Sequence, residues 1–133
     1  NTKKMKAKEL LEKIYKEHNL EREDLYVDKR GFVIIKRTGI EKIQFQNNIT
    51  AKFDVLKCDK DECVMKCTAE TLDGGYIETH SSANNNNCTN KFYVETCEKR
   101  VLGRAVLKLC RIYEDGEVFS SDEIENQPPN TLN

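Results

Sequence analysis

"YVETCEKRVLGRAVLKLCRIY", residues 93–113, reads as the heart of one long helix running from about Lys91 to Ile112. At about 100° per residue, Val94, Val101, Leu102, Ala105, Leu109 and Ile112 share one arc, while Phe92, Leu107 and Cys110 lie on the far side. A helix apolar over more than one stripe needs two packing partners. One is expected to be a sheet; the other is the N-terminal helix or the same surface of another subunit, because a large apolar area is costly to leave wet. Arg100, Arg104, Lys108 and Arg111 fall within about 80° of arc and form a basic stripe. Glu98 lands in the main apolar arc, where a carboxylate calls for a compensating cation or a polar subunit contact. Gly103 weakens the helix by about 1 kcal/mol relative to Ala, which is tolerable where it permits close backbone approach.

Upstream, the apolar period changes from helical to alternating. "ITAKFDVLKC", residues 49–58, alternates Ile49, Ala51, Phe53 and Val55 with Thr50, Lys52 and Asp54, the pattern of a half-buried strand. A turn at Asp59–Asp61 leads into "ECVMKCTAET", whose Cys63, Met65, Cys67 and Ala69 share one face, and Asp73-Gly74-Gly75 turns the chain into "YIETHSSA". Strands on such short connections form an antiparallel meander with one packed face and one solvated face. The polar loop "NNNNCTN", residues 84–90, then precedes the long helix.

Farther from the helix the signals are shorter. Residues 3–18 are amphipathic, with Ala7, Leu10, Leu11, Ile14, Tyr15 and His18 on one side. "DLYVDKRGFVIIKR", residues 24–37, contains β-prone runs around a hairpin turn at Asp28–Gly31. Thr38 followed by Glu41 fits a capping box, so Gly39–Gln46 is expected to be a short helix with Ile40, Ile43 and Phe45 inward, ended by Asn47 and Asn48. Beyond Tyr113 the chain is acidic, contains proline and lacks apolar periodicity, the composition of a tail. The expectation is an α+β fold: a three-stranded antiparallel meander packed on a long helix, preceded by an N-terminal helix, a β-hairpin and a short helix. Residues 1–113 would form a single domain and 114–133 a flexible acidic tail.

At 133 residues, one core is expected. With 22 Lys and Arg against 23 Asp and Glu there is no strongly basic overall field, so attraction to phosphate has to come from local clustering. No apolar run approaches the roughly 18–20 residues needed to cross a bilayer, and "NTKKMKAKELLEKIYKEHN" is mixed in charge, unlike a signal peptide. The expectation is a soluble, cytoplasmic protein without a membrane partner. Six cysteines would permit three disulfides in a secreted domain, and sequons occur at Asn48-Ile49-Thr50 and Asn87-Cys88-Thr89; neither feature decides the compartment. The spacing of Cys58, Cys63 and Cys67 invites a zinc reading, but no CxxC pair occurs and His80 is the only imidazole nearby. Alternation in the second strand favours inward-packed free thiols, with no metal and no cofactor.

"TGIEKIQFQNNITAKFDVLKC", residues 38–58, followed by the meander, the Asn-rich loop and "VETCEKRVLGRAVLKL", residues 94–109, resembles the single-strand annealing proteins of phages and their Rad-fifty-two-like relatives. In that superfamily a β-β-β-α core ends in a helix with a Lys-Arg-Ala-Leu type signature. The resemblance covers about residues 32–125; Glu98–Ala105 is similar to the family helix, with Val101 where Ala is common, and Thr38–Gln44 to its preceding short helix. It implies ATP-independent binding and annealing of single-stranded DNA in recombination or repair, by a ring or filament with a basic groove, in a bacterial or phage-infected cell. The missing Walker motif agrees with this. Such a protein needs cations for phosphates and an oligomer to present the strand, and no nucleophile, so it is not expected to be an enzyme.

The phosphate-holding residues expected on that basis are Arg100, Arg104, Lys108 and Arg111, joined by Lys36, Arg37 and Lys42. Tyr76 and Phe92 either stack on bases or belong to the core. On the outer face of the meander Lys52 and Lys66 are interleaved with Asp54, Glu70 and Glu78, a poor surface for a polyanion, so the groove belongs on the helix side. An interaction or inhibitor module without DNA binding is the main alternative; protection of strand ends without annealing is another. An enzyme pairing His80 with Cys88 or Cys97 has no oxyanion motif to support it.

Overall fold

The computed structural model of the chain describes residues 2–112 and 117–124. First come α1 (Thr2–His18), β1 (Leu25–Val27), β2 (Val33–Ile35) and α2 (Arg37–Gln46). They are followed by β3 (Thr50–Cys58), β4 (Glu62–Glu70), β5 (Tyr76–Asn84) and α3 (Tyr93–Leu109), then β6 (Val118–Ser120) and α4 (Ser121–Ile124). The fold is α+β, and the expected meander is present: β3, β4 and β5 lie side by side, antiparallel. Alternation buries Cys63, Met65, Cys67 and Ala69 of β4 and Thr79, Ser81 and Ala83 of β5 on the inner face. Near the end of β3 the register shifts between Val55 and Lys57, a bulge that leaves Leu56 without a partner in β4.

Helix α3 lies on that inner face, over β4 and β5 far more than over β3. Thr79 Oγ1 donates to the Val101 carbonyl at 3.0 Å and Ser81 Oγ to the Cys97 carbonyl at 2.8 Å, so α3 runs antiparallel to β5. Four residues of helix rise about 6.0 Å and two residues of strand about 6.6 Å, so the two elements stay in step. Because α3 leaves β3 largely uncovered, Glu98 is exposed and needs no compensating cation, contrary to the expectation from its arc.

The rest of the chain covers the other side of α3. Strands β1, β2 and β6 form a second sheet, with β2 antiparallel to β1 and parallel to β6. The hairpin turn is where it was expected: Asp28 Oδ1 accepts from the Arg30 and Phe32 amides, each at 3.0 Å, and Gly31 supplies φ +87°. A Cβ on Gly103 would stand 2.9 Å from Ser120 Oγ, so glycine is what lets α3 and β6 approach. The second apolar face of α3 therefore packs on β6, α2 and α4 of its own chain, rather than on the N-terminal helix or another subunit; α1 packs on β1, β2 and α2.

Two local expectations are corrected. Lys36 is the N-cap of α2, and Thr38 Oγ1 donates to Asp24 Oδ1 at 2.8 Å instead of closing a capping box. Phe45 is 84 % exposed, since Ile40 and Ile43 define the buried side and Phe45 stands about 200° round the helix from Ile43. The tail is also corrected: β6 pairs with β2, and Val118, Ser120 and Ser121 are buried, so the domain extends past residue 113. A strand of three residues is too short to display a period, and its partner lies far upstream. Residues 113–116 and 125–133 of the expected tail lie outside the described residues.

Candidate functional site

The basic stripe of α3 meets the free edge of the meander. At an edge strand every second carbonyl points away from the sheet and needs a partner or water. The α3–β5 step supplies one for two of them: Arg100 Nη1 donates to the Ser82 carbonyl at 3.0 Å and Arg104 Nη1 to the His80 carbonyl at 2.5 Å. Arg100 is only 3 % exposed. Its Nε donates to the Asp122 carbonyl at 3.1 Å, and its terminal nitrogens also donate to Asn87 Oδ1 at 2.9 Å and to the Asn87 carbonyl at 2.5 Å. Burial lowers Arg100 from the ordinary arginine value, yet a guanidinium starting so high remains charged. Arg100 thus ties α3, β5, the asparagine loop and α4 together, and it reaches any ligand through its field rather than through free donors.

Arg104 stands one turn on, half-exposed, with Nε donating to Glu123 Oε1. Lys108 is exposed, and the same step sets it at the level of Glu78. Arg111 leaves the stripe: α3 ends at Leu109, and Arg111 adopts the left-handed φ of +60° that commonly follows a helix, its amide donating to the Lys108 carbonyl at 3.1 Å. The arc of an unbroken helix therefore fails at its last member.

Between these elements lies a polar cleft of about 350 Å³, lined by His80, Ser82, Asn87, Arg100, Arg104 and Glu123 among others. The asparagine loop forming one wall is ordered by its own side chains: Asn87 Oδ1 accepts from the Asn84 amide at 3.0 Å and Asn84 Oδ1 from the Asn86 amide at 2.9 Å. Two guanidinium groups face one carboxylate, which makes the cleft locally cationic in a nearly neutral protein. Tyr76 begins β5 at the Lys108 end, 57 % exposed, and Phe92 precedes α3 at the other, 67 % exposed. Both aromatic rings stand outside the core.

Lys36, Arg37 and Lys42 do not join the α3–β5 edge; Lys36 and Arg37 sit at the start of α2 and Lys42 in its middle. Lys36 Nζ lies 5.6 Å from the Tyr26 ring centre, Arg37 pairs with Glu41 at 3.3 Å, and Lys42 Nζ meets Asp24 Oδ2 at 2.8 Å. Burial would raise the Asp24 carboxyl, but hydrogen bonds from Lys42, the Glu21 amide and Thr38 outweigh it and hold it below the ordinary aspartate value. The thiol–imidazole pairing is not assembled with Cys97: His80 belongs to the outer face of β5, while Cys97 is buried under the inner face against Ser81 and the Cys63 carbonyl. Burial pushes the Cys63 thiol up to about 12 and Cys67 up to about 11. All six cysteines are free thiols, and among the described residues no group of three His, Cys, Asp or Glu side chains gathers to hold a metal.

Sequence reading missed Asn87, Asp122 and Glu123 as members of this site. The signal was present in "SSDEIE", residues 120–125, where acidic residues follow paired serines as at a helix start, but the composition around it is that of a tail. The chain matches no family model, no curated protein and no solved structure. Among the described residues no helix is long and apolar enough to cross a membrane.

Proposed function

We propose that the protein binds single-stranded DNA along the α3–β5 edge and anneals complementary strands without ATP, as an oligomer in the cytoplasm. The observation that carries this reading is the matched step of α3 and β5, which sets Arg100 and Arg104 one turn apart beside a polar cleft, with Lys108 a further turn along α3. Arg104 and Lys108 contact phosphates, Arg100 adds charge from beneath, and Tyr76 offers a face for base stacking. Arg111, set off the row by its left-handed backbone, and Lys36, Arg37 and Lys42 at α2 are secondary contacts. No catalytic residue, metal or cofactor takes part.

Arg100 is a poor probe of this role, since replacing it disturbs four described hydrogen bonds inside the protein. Lys108→Glu is the better variant, because Lys108 is exposed. The expected result is weaker binding of a fluorescent single strand, with the slope of log K against log salt shallower by about 0.7, the value for one phosphate neutralised by one cation. Wild-type annealing of complementary oligonucleotides without ATP completes the test. Unchanged affinity and slope in Lys108→Glu, or no annealing by the wild type, contradicts the reading.

A protein-docking function is the second reading. Phe45 and Leu72, each 84 % exposed, flank an apolar groove of about 510 Å³ with Gln44 and Ile49, a feature that fits a protein partner better than a polyanion. Under that reading Lys108→Glu leaves DNA behaviour unchanged and Phe45→Ser abolishes the interaction.

A further inference from the structure

The two edges of the meander differ. The β5 edge is occupied by Arg100 and Arg104, whereas no described element pairs with the outer edge of β3. Backbone directions on β3 follow from those on β5, because antiparallel ladders alternate between hydrogen-bonded and non-hydrogen-bonded pairs. The His80 carbonyl points outward, so Lys66, which faces His80, turns its amide and carbonyl toward Asp54 of β3. That leaves the amides and carbonyls of Ala51 and Phe53 directed away from the sheet. Strand β3 is nine residues long and contains neither glycine nor proline; Val55 and Leu56 are 58 % and 56 % exposed. A long open edge of this kind is a template for another strand.

We infer that two copies of this chain join their meanders into one sheet by pairing β3 with β3, antiparallel, about a two-fold axis at Phe53. Backbone direction permits only registers that place odd-numbered residues opposite odd-numbered ones, and charge selects among them. Centring the axis on Lys52 sets lysine against lysine, and centring it on Asp54 sets aspartate against aspartate; like charges directly opposite are destabilising. Centring it on Phe53 sets Lys52 of each copy opposite Asp54 of the other, twice, at the close non-hydrogen-bonded positions. On the other face Phe53 meets Phe53, and Ala51 meets the exposed Val55. Centres farther out shorten the overlap or run into the bulge at Leu56. Asp54 lies 4.0 Å from Lys66 of its own chain, which leaves room for a shared cation. The contact is self-complementary, as a two-fold interface requires. It uses a surface separate from the α3–β5 edge and stands without the DNA-binding reading.

Charge reversal tests it by sedimentation at high micromolar concentration. Lys52→Asp alone sets aspartate against aspartate, and Asp54→Lys alone sets lysine against lysine, so each variant should self-associate about tenfold more weakly than wild type. Mixed together, they restore both opposite-charge pairs and should form a one-to-one mixed dimer. In the wild type, amide exchange at Phe53 should slow as protein concentration rises. A monomeric wild type, single variants that associate like wild type, or a mixture that fails to associate would each overturn the inference.

Discussion

Arg100 shows how one residue type at one helical position can be read in two ways. From spacing alone it belongs with Arg104 and Lys108 on a basic stripe; in the fold it is buried and donates to three backbone carbonyls from three different segments. Arg100→Lys keeps the charge but loses the planar fork, leaving several buried carbonyls without donors. It should lower stability by about 3 kcal/mol, read as a fall in the urea midpoint at unchanged slope. A midpoint within error of wild type would mean that water replaces the guanidinium. Asp24 provides the pH-dependent counterpart. Its carboxyl is held below the ordinary aspartate value in the folded state, so its charged form contributes stability above about pH 4, and that contribution is lost as pH falls through the folded value. Asp24→Asn should therefore destabilise at neutral pH and flatten the loss of stability below about pH 4, measured by thermal melts across pH.

At the scale of elements, the long periodic segments were legible and the short, non-local ones were not. The meander and α3 carry enough residues for their periods to show, and the burial of Cys63 and Cys67 followed from alternation in β4. Strand β6 is held by pairing with β2, by Gly103 beneath Ser120, and by α4 offering the Asp122 carbonyl and Glu123 to the arginines. In the acidic segment only the helix-start pattern of "SSDEIE", residues 120–125, is local; the pairing with β2 and the contacts to α3 leave none. The site shares that limit: its α3 cations show in the helical period, while the carbonyls and carboxylate that hold them come together only with the fold. A chain ending at residue 112 tests the revised boundary. It lacks β6 and α4 and should lose its cooperative unfolding transition, whereas a flexible tail could be removed from the same point without effect on circular dichroism or melting.

For the whole molecule, near-neutral charge and a locally cationic edge make a specific demand: binding to a polyanion must be local, and strongly salt-dependent. One α3–β5 edge presents few phosphate-binding cations, so an extended strand is held well only when several copies align their edges along it. Assembly and DNA binding are therefore expected together. The most direct test sizes the purified, nucleic-acid-free protein by chromatography with light scattering, alone and with a single-stranded oligonucleotide, following protein and DNA absorbance separately. The account predicts a self-associated species that takes up the oligonucleotide at low salt, grows in mass and releases it as salt is raised. A protein that elutes as a monomer, apart from the DNA, at every salt concentration would contradict it.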